Sequence, residues 1–156
     1  MLRKLILSSA LAVAATSAAF AEDMKMEDVP ANVRAVALEA AGGLPLQSVA
    51  FDLDGGTATY EFKTKTERGT QLEIDVDATG EIEEIEEEIT LQDVPGVVTD
   101  LLAVHFPNIQ PTFIERSTRA SMAVWYEFEA TKDGREYDIE VRADGRVILI
   151  QDDTAG

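Results

Sequence analysis

The chain contains no cysteine and a single histidine, His105. Disulfides, thiol catalysis and iron–sulfur clusters are thereby excluded, and a zinc site built on Cys and His lacks ligands. Basic residues are scarce: 13 Lys and Arg stand against 30 Asp and Glu, a formal charge of −17. Nucleic acid and anionic membrane surfaces would repel such a chain, so neither is expected as a partner. Aromatic residues make up only 6% of the sequence, and Trp125 is the one tryptophan. Beyond the N-terminus no stretch is apolar enough to span a membrane.

At that N-terminus, Arg3 and Lys4 precede an apolar run from Leu5 to Ala18, and Ala19-Phe20-Ala21 follows with a small-x-small pattern. This order predicts a secretory signal over residues 1–21, cleaved before Glu22. The run is shorter than the ~20 residues of a spanning helix. Cleavage removes the first 21 of 156 residues, with Arg3 and Lys4 but no carboxylate, and the formal charge moves from −17 to −19. The mature protein is expected in the periplasm, free of the membrane. Lacking disulfides in an oxidising compartment, it must be stable through its core alone.

An internal repeat organises the remainder. Asp28-Val29-Pro30 recurs as Asp93-Val94-Pro95, and Tyr60-Glu61-Phe62 as Tyr126-Glu127-Phe128. Leu72 to Ile82 (LEIDVDATGEI) matches Tyr137 to Val147 (YDIEVRADGRV), and the offset stays at 65 or 66 residues throughout. Each copy opens on a predicted helix. Asp28 and Asp93 stand as candidate N-caps, and Pro is suited to the first turn. Val33, Val36, Ala37 and Ala40 then have helical spacing in the first copy; Val94, Val97, Leu101, Val104 and His105 have it in the second. Gly42-Gly43 and Pro107-Asn108 end these helices.

Strands are predicted next, since Val49, Phe51 and Leu53, then Ala58, Tyr60 and Phe62, then Leu72, Ile74 and Val76 alternate with polar residues. Gly-containing turns join them at Gly55-Gly56, Gly69 and Gly80, with Gly134 and Gly145 equivalent in the second copy. The expected fold is α+β: two tandem repeats, residues 22–91 and 92–156, each a helix on one face of an antiparallel sheet of about four strands.

Catalytic chemistry finds no foothold. His105 falls in the last turn of a helix, where capping or packing accounts for it. No phosphate loop or nucleophile elbow is present. Asp52-Leu53-Asp54-Gly55-Gly56 opens like a calcium loop but has Gly at the fifth position and Lys63 at the twelfth. Carboxylate pairs are too numerous for any one to stand out as an acid–base couple. The expectation is therefore no enzyme, no cofactor and no dedicated metal site. The acidic run Glu81–Glu88 reads as a solvated edge strand that resists aggregation.

Parity sharpens the search for a binding surface. If Tyr60, Phe62, Tyr126 and Phe128 face the helices, then Trp125, Glu127 and Glu129 face away, as do Thr59, Glu61 and Lys63. Glu73, Asp75, Asp77, Asp138 and Glu140 join them from neighbouring strands. The uncovered face is thus mostly carboxylate with one indole on it, and Trp is enriched at interface hot spots. A protein with a basic contact surface is the expected partner; cation or calcium buffering by the same carboxylates is the alternative.

Residues 86–115 (EEEITLQDVPGVVTDLLAVHFPNIQPTFIE), followed by WYEFEATKDGREYDIEVRADGRVI, resemble the PepSY-like family, itself described as similar to the β-lactamase inhibitor protein. The pattern is an acidic strand end, an Asp-Val-Pro helix start, a His-Phe-Pro helix end, Tyr-Glu strands and an Asp-Gly hairpin. It extends over nearly all of the mature chain, with the second copy fitting better because the first lacks the aromatic-Pro helix end. The resemblance implies an exported, non-catalytic binding module and, by analogy, inhibition or regulation of a peptidase or hydrolase.

Overall fold

Alternating apolar and polar residues, broken by glycine turns, give nine strands, and two apolar segments give helices. The computed structural model describes residues 22–54 and 57–154. The expected signal over residues 1–21 and the Gly55-Gly56 turn lie outside them. In chain order the elements are β1 (Glu22–Met24), α1 (Ala31–Ala40), β2 (Ser48–Asp54), β3 (Thr57–Lys65), β4 (Gln71–Asp77) and β5 (Ile82–Glu88). A 3₁₀ turn (Leu91–Asp93) leads to α2 (Gly96–His105), β6 (Pro111–Arg119), β7 (Val124–Lys132), β8 (Arg135–Arg142) and β9 (Ile148–Asp152).

All nine strands belong to one open antiparallel sheet in the order β1 to β9. The fold is α+β as expected, but the two sheets anticipated separately are continuous. The join is β5 against β6, where Glu84 to Glu88 pair with Arg119 to Glu115. This places the acidic run in the middle of the sheet, correcting the expectation of an edge strand. The true edges are β1 and β9. Two of the acidic side chains at the centre, Glu87 and Glu84, have partners, one on each face of β5. Toward the helices, Glu87 meets Arg68 at 3.0 Å and Arg116 at 2.6 Å; on the other face, Arg119 and Ser117 bond Glu84.

Cross-strand register shows that one face carries both cores. Phe62 pairs with Ile74, Ile74 with Ile85, Ile85 with Thr118 and Thr118 with Val124, so these side chains share a side. There α1 buries Val33 and Ala37 with Val49, Phe62, Ile74 and Val76. Similarly, α2 buries Val98 and Leu102 with Tyr126, Phe128, Ile139 and Val141. The buried helix residues recur at the repeat offset of 65, Val33 with Val98 and Ala37 with Leu102.

Two local expectations are corrected. The second helix is turned from the predicted phase: Val97 and Val104 are 53% and 73% exposed, while Val98 and Leu102 are buried. Apolar residues surround most of α2, so spacing alone could not choose its inner face. Nor do Asp28 and Asp93 cap the helices, which start from Pro30 and Pro95 without a side-chain cap bond. Asp93 instead accepts hydrogen bonds from the Thr90 amide (3.0 Å) and hydroxyl (2.8 Å), closing the 3₁₀ turn. A proline at each helix start occupies the position where a carboxylate would have to stand.

Candidate functional site: the acidic sheet face

The helices leave the other sheet face open, and strand parity stacks its side chains in rows across the strands. One row runs Glu61, Asp75, Glu84, Arg119 from β3 to β6. The next runs Lys63, Glu73, Glu86, Ser117, Trp125, Arg142 from β3 to β8. A third sets Glu88, Glu115, Glu127 and Glu140 side by side on β5 to β8, with Glu129 opposite Asp138 beyond it. The eight candidate binding residues drawn from the parity set, Trp125, Glu61, Glu73, Asp75, Glu127, Glu129, Asp138 and Glu140, therefore share this surface.

Sequence reasoning missed its centre. Arg119, the last residue of β6, donates from Nε to Glu84 at 3.0 Å and from one terminal nitrogen to Glu127 at 3.0 Å and Glu140 at 2.7 Å. Its guanidinium also lies 5.0 Å from the centre of the Trp125 ring, within cation–π range. Burial works against the charge of Arg119, but the bonds to Glu140 and Glu84 more than compensate and hold its pKa above the ordinary value. Ser117 is 0% exposed and gives its hydroxyl to Glu84, so it is no free nucleophile. Nothing local in the sequence marks Arg119, whose acceptors lie 8, 21 and 35 residues away. The parity argument would have found it had β6 been aligned in register with β5.

Packing in rows also buries the carboxylates against each other. Glu140 is only 8% exposed, and Trp125 is half-buried rather than bare. Burial, then the charges of Glu73, Glu61, Glu84 and Glu83, pushes Asp75 up to about 8. Its Oδ1 is buried with no hydrogen-bond partner. Burial, reinforced by Glu115, Glu84, Glu127 and Asp75, pushes Glu86 up to about 9. Glu115 is raised to about 7 by burial and by Glu127, Glu73, Glu129 and Glu88. Glu127 is also raised to about 7, by burial, Glu140 and Glu84, with Arg119 opposing. Lys63 supplies the other close ion pair in these rows, 3.0 Å from Glu73. One oxygen each from Glu84, Glu86 and Glu127 lies within 4.8 Å of the others.

An open sheet, two helices on one face and a polar opposite face can be compared with known proteins. Residues 30–86 match the family of the peptidase propeptide and YPEB domain, PepSY. This part of the chain is PepSY-like. Solved structures resemble the fold over most of its length. A Bacteroides eggerthii protein described as periplasmic aligns with TM-score 0.65 at 16% identity, covering 81% of this chain and 90% of its own. A DUF2874 family protein from Bacteroides uniformis aligns with TM-score 0.64 at 16% identity, over 81% and 91% of the two chains. A BLIP-like protein from Bacteroides fragilis aligns with TM-score 0.60 at 12% identity, over 80% and 86%. No curated protein matches the sequence significantly. Among the described residues, no helix is long and apolar enough to cross a membrane.

The PepSY match covers residues 30–86, whereas the sequence resemblance was stronger in the C-terminal half. The structural alignments span both.

Proposed function

We propose that this PepSY-like chain is an exported, non-catalytic binding module whose acidic sheet face receives a basic surface of an envelope peptidase or hydrolase and regulates it. The observation that carries this reading is Arg119. The Arg119 guanidinium on this face is bonded to three carboxylates and set against an indole, and among the described residues Glu86, Glu88 and Glu115 beyond it pair with no cation. A partner's Arg or Lys would find the same chemistry. Trp125 would supply the apolar anchor beside it. Two tandem repeats, residues 22–91 and 92–156, would build the face jointly; the helix phase shared at an offset of 65 supports this duplication.

The test uses the mature protein, without residues 1–21, as bait in an envelope extract, followed by binding kinetics with each captured protein. Association should slow as salt rises, because screening shortens the Debye length to about 8 Å at physiological strength. Trp125→Ala should weaken the complex by about 2 kcal/mol, roughly thirtyfold. A complex indifferent to both salt and Trp125→Ala would rule out this face as the docking surface.

The convergence of Glu84, Glu86 and Glu127 favours a second reading, loose binding or buffering of calcium or another cation. Calorimetry with calcium separates the two: heat that saturates in calcium and disappears in Glu86→Gln supports the cation reading.

A further inference from the structure

Among the described residues β9 pairs only with β8, so its outer side is free. The ladder fixes which backbone groups point that way. The Arg142 amide donates to the Val147 carbonyl and the Asp153 amide to the Glu136 carbonyl, both at 3.0 Å. Val147 and Asp153 therefore turn toward β8, and by alternation so do Leu149 and Gln151. Ile148, Ile150 and Asp152 point their N–H and C=O groups outward. Sheet edges are ordinarily blunted by charge, proline, a bulge or shortness. The opposite edge, β1, is three residues long and carries Glu22 and Asp23. Over Ile148 to Gln151, β9 is uncharged, lacks proline and keeps an unbroken register with β8. Ile150 is 45% exposed.

The molecule itself shows how such an edge is filled. On the helix side, the row Val49, Phe62, Ile74, Ile85 crosses β2 to β5, and the row Ile114, Phe128, Ile139, Ile150 crosses β6 to β9. Position by position the two rows lie 65 or 66 residues apart, so β5 and β9 hold the same place, with Ile85 matching Ile150 and Glu87 matching Asp152. The Ala120 amide donates to the Glu83 carbonyl at 2.7 Å, and the Ile89 amide to the Ile114 carbonyl at 2.9 Å. Ile85 and Glu87, between them, turn outward in the same way as Ile150 and Asp152. There β5 receives β6, with Thr118 opposite Ile85 and Arg116 opposite Glu87, which it meets at 2.6 Å. Among the described residues Asp152 has Arg135 as its one cation, at 2.8 Å, and its side chain is 37% exposed against 18% for Glu87.

We propose that the outer edge of β9 docks an extended segment of a partner protein, added antiparallel as a tenth strand, with a basic residue opposite Asp152 and an apolar or β-branched residue opposite Ile150. Charge selects this occupant. To β5, β6 brings Arg116 and Arg119. A second copy of this chain would bring β9, which has no basic residue, or β1 with its two carboxylates, and two chains this acidic repel each other. The edge is a different surface from the acidic face, so either can fail without the other.

The test adds a peptide of residues 111–119 (PTFIERSTR), blocked at both ends, to the isotope-labelled mature protein and follows amide exchange by NMR. The amides of Ile148, Ile150 and Asp152 should exchange about tenfold or more slowly when the peptide is bound, while those of Leu149 and Gln151, already bonded to β8, keep their rates. A peptide carrying Arg116→Glu should bind about tenfold more weakly. In the protein, Ile150→Pro removes one outward N–H without touching the β8 ladder and should abolish the protection. Should that variant fail to fold, Ile150→Lys, which puts a charge on the edge, should weaken binding about tenfold. Absent or non-alternating protection, or binding indifferent to these substitutions, overturns the proposal. Shifts confined to the acidic face overturn it too and leave that face as the docking surface. Alternating protection already present in the free protein and lost on dilution assigns the edge to a second copy, and the proposal falls.

Discussion

Glu86 shows how a single side chain can be destabilising as an anion and still be retained at the centre of a sheet. Its ordinary pKa of 4.5 rises to about 9 in the folded protein, by burial and by neighbouring carboxylates. A carboxyl raised in this way favours the folded state most below its unfolded value. That contribution is lost as pH climbs toward the folded value. Thermal stability should therefore fall between about pH 5 and pH 8, and Glu86→Gln should melt later than the parent at pH 8 but not at pH 4.5. Melts followed by circular dichroism across that range check both the sign and the window. Arg119 makes the opposite case. Replacing it with Ala leaves Glu84, Glu127 and Glu140 facing one another without a cation, at a cost of about 1–3 kcal/mol. Arg119→Lys should restore little, since one ammonium cannot reproduce the planar fork or its stacking on Trp125. Denaturant unfolding of the two variants measures this, and Trp125 emission should shift in Arg119→Ala as its cover is removed.

At the level of elements, the turns before β5 and β9 press against the helix starts. Gly145 has φ +66°, and a Cβ placed there would sit 2.7 Å from the Val97 carbonyl oxygen of α2. Gly145→Ala is accordingly expected to cost more than the ~1 kcal/mol of a strained glycine site alone, because backbone must move. Gly134→Ala has φ +78° with open space around it and should cost only the strain. The same comparison applies to the phase of α2. Val98→Ala should destabilise by about 1–3 kcal/mol, whereas Val104→Ala, on the exposed side, should change stability by no more than about 0.5 kcal/mol. Melting temperatures of these four variants test the turn contact and the helix phase independently. The repeat offset, applied strictly to Val33 and Ala37, points to Val98 and Leu102. The apolar pattern of α2 alone pointed one residue away.

The whole molecule depends on the junction of β5 and β6. Both cores lie on one face of the sheet, and the second takes in Ile89 from ahead of β6. Separating residues 92–156 would strip β6 of its partner strand and Arg119 of Glu84. A unit of about 65 residues also buries only about 60% of its unfolded surface. The fragment should unfold at lower temperature and less cooperatively than the mature chain, which calorimetry of the two will show. Charge is unevenly shared as well. Residues 22–91 hold 18 acidic and 5 basic side chains, and residues 92–156 hold 12 and 6. The net values of −13 and −6 place most of the attractive field on the first half, while Arg119 and Trp125 lie in the second.

By itself the sequence determined what depends on near neighbours. Period-two alternation set which side chains share a face, glycines set the hairpins, and the lack of Cys beside a single His removed disulfide and Cys–His zinc chemistry. The candidate binding positions derived from parity fell on the open face because Cβ direction alternates along any strand, whatever it pairs with. Tertiary structure decided what depends on pairing across distance. Glu81–Glu88 reads the same whether it forms an edge or the centre, and only its hydrogen bonds to β6 make it central. Arg119 gains its role from carboxylates on three other strands, and the raised carboxyls from burial that no linear pattern records. Alternation is a local property of the backbone; register and desolvation exist only once distant strands have met.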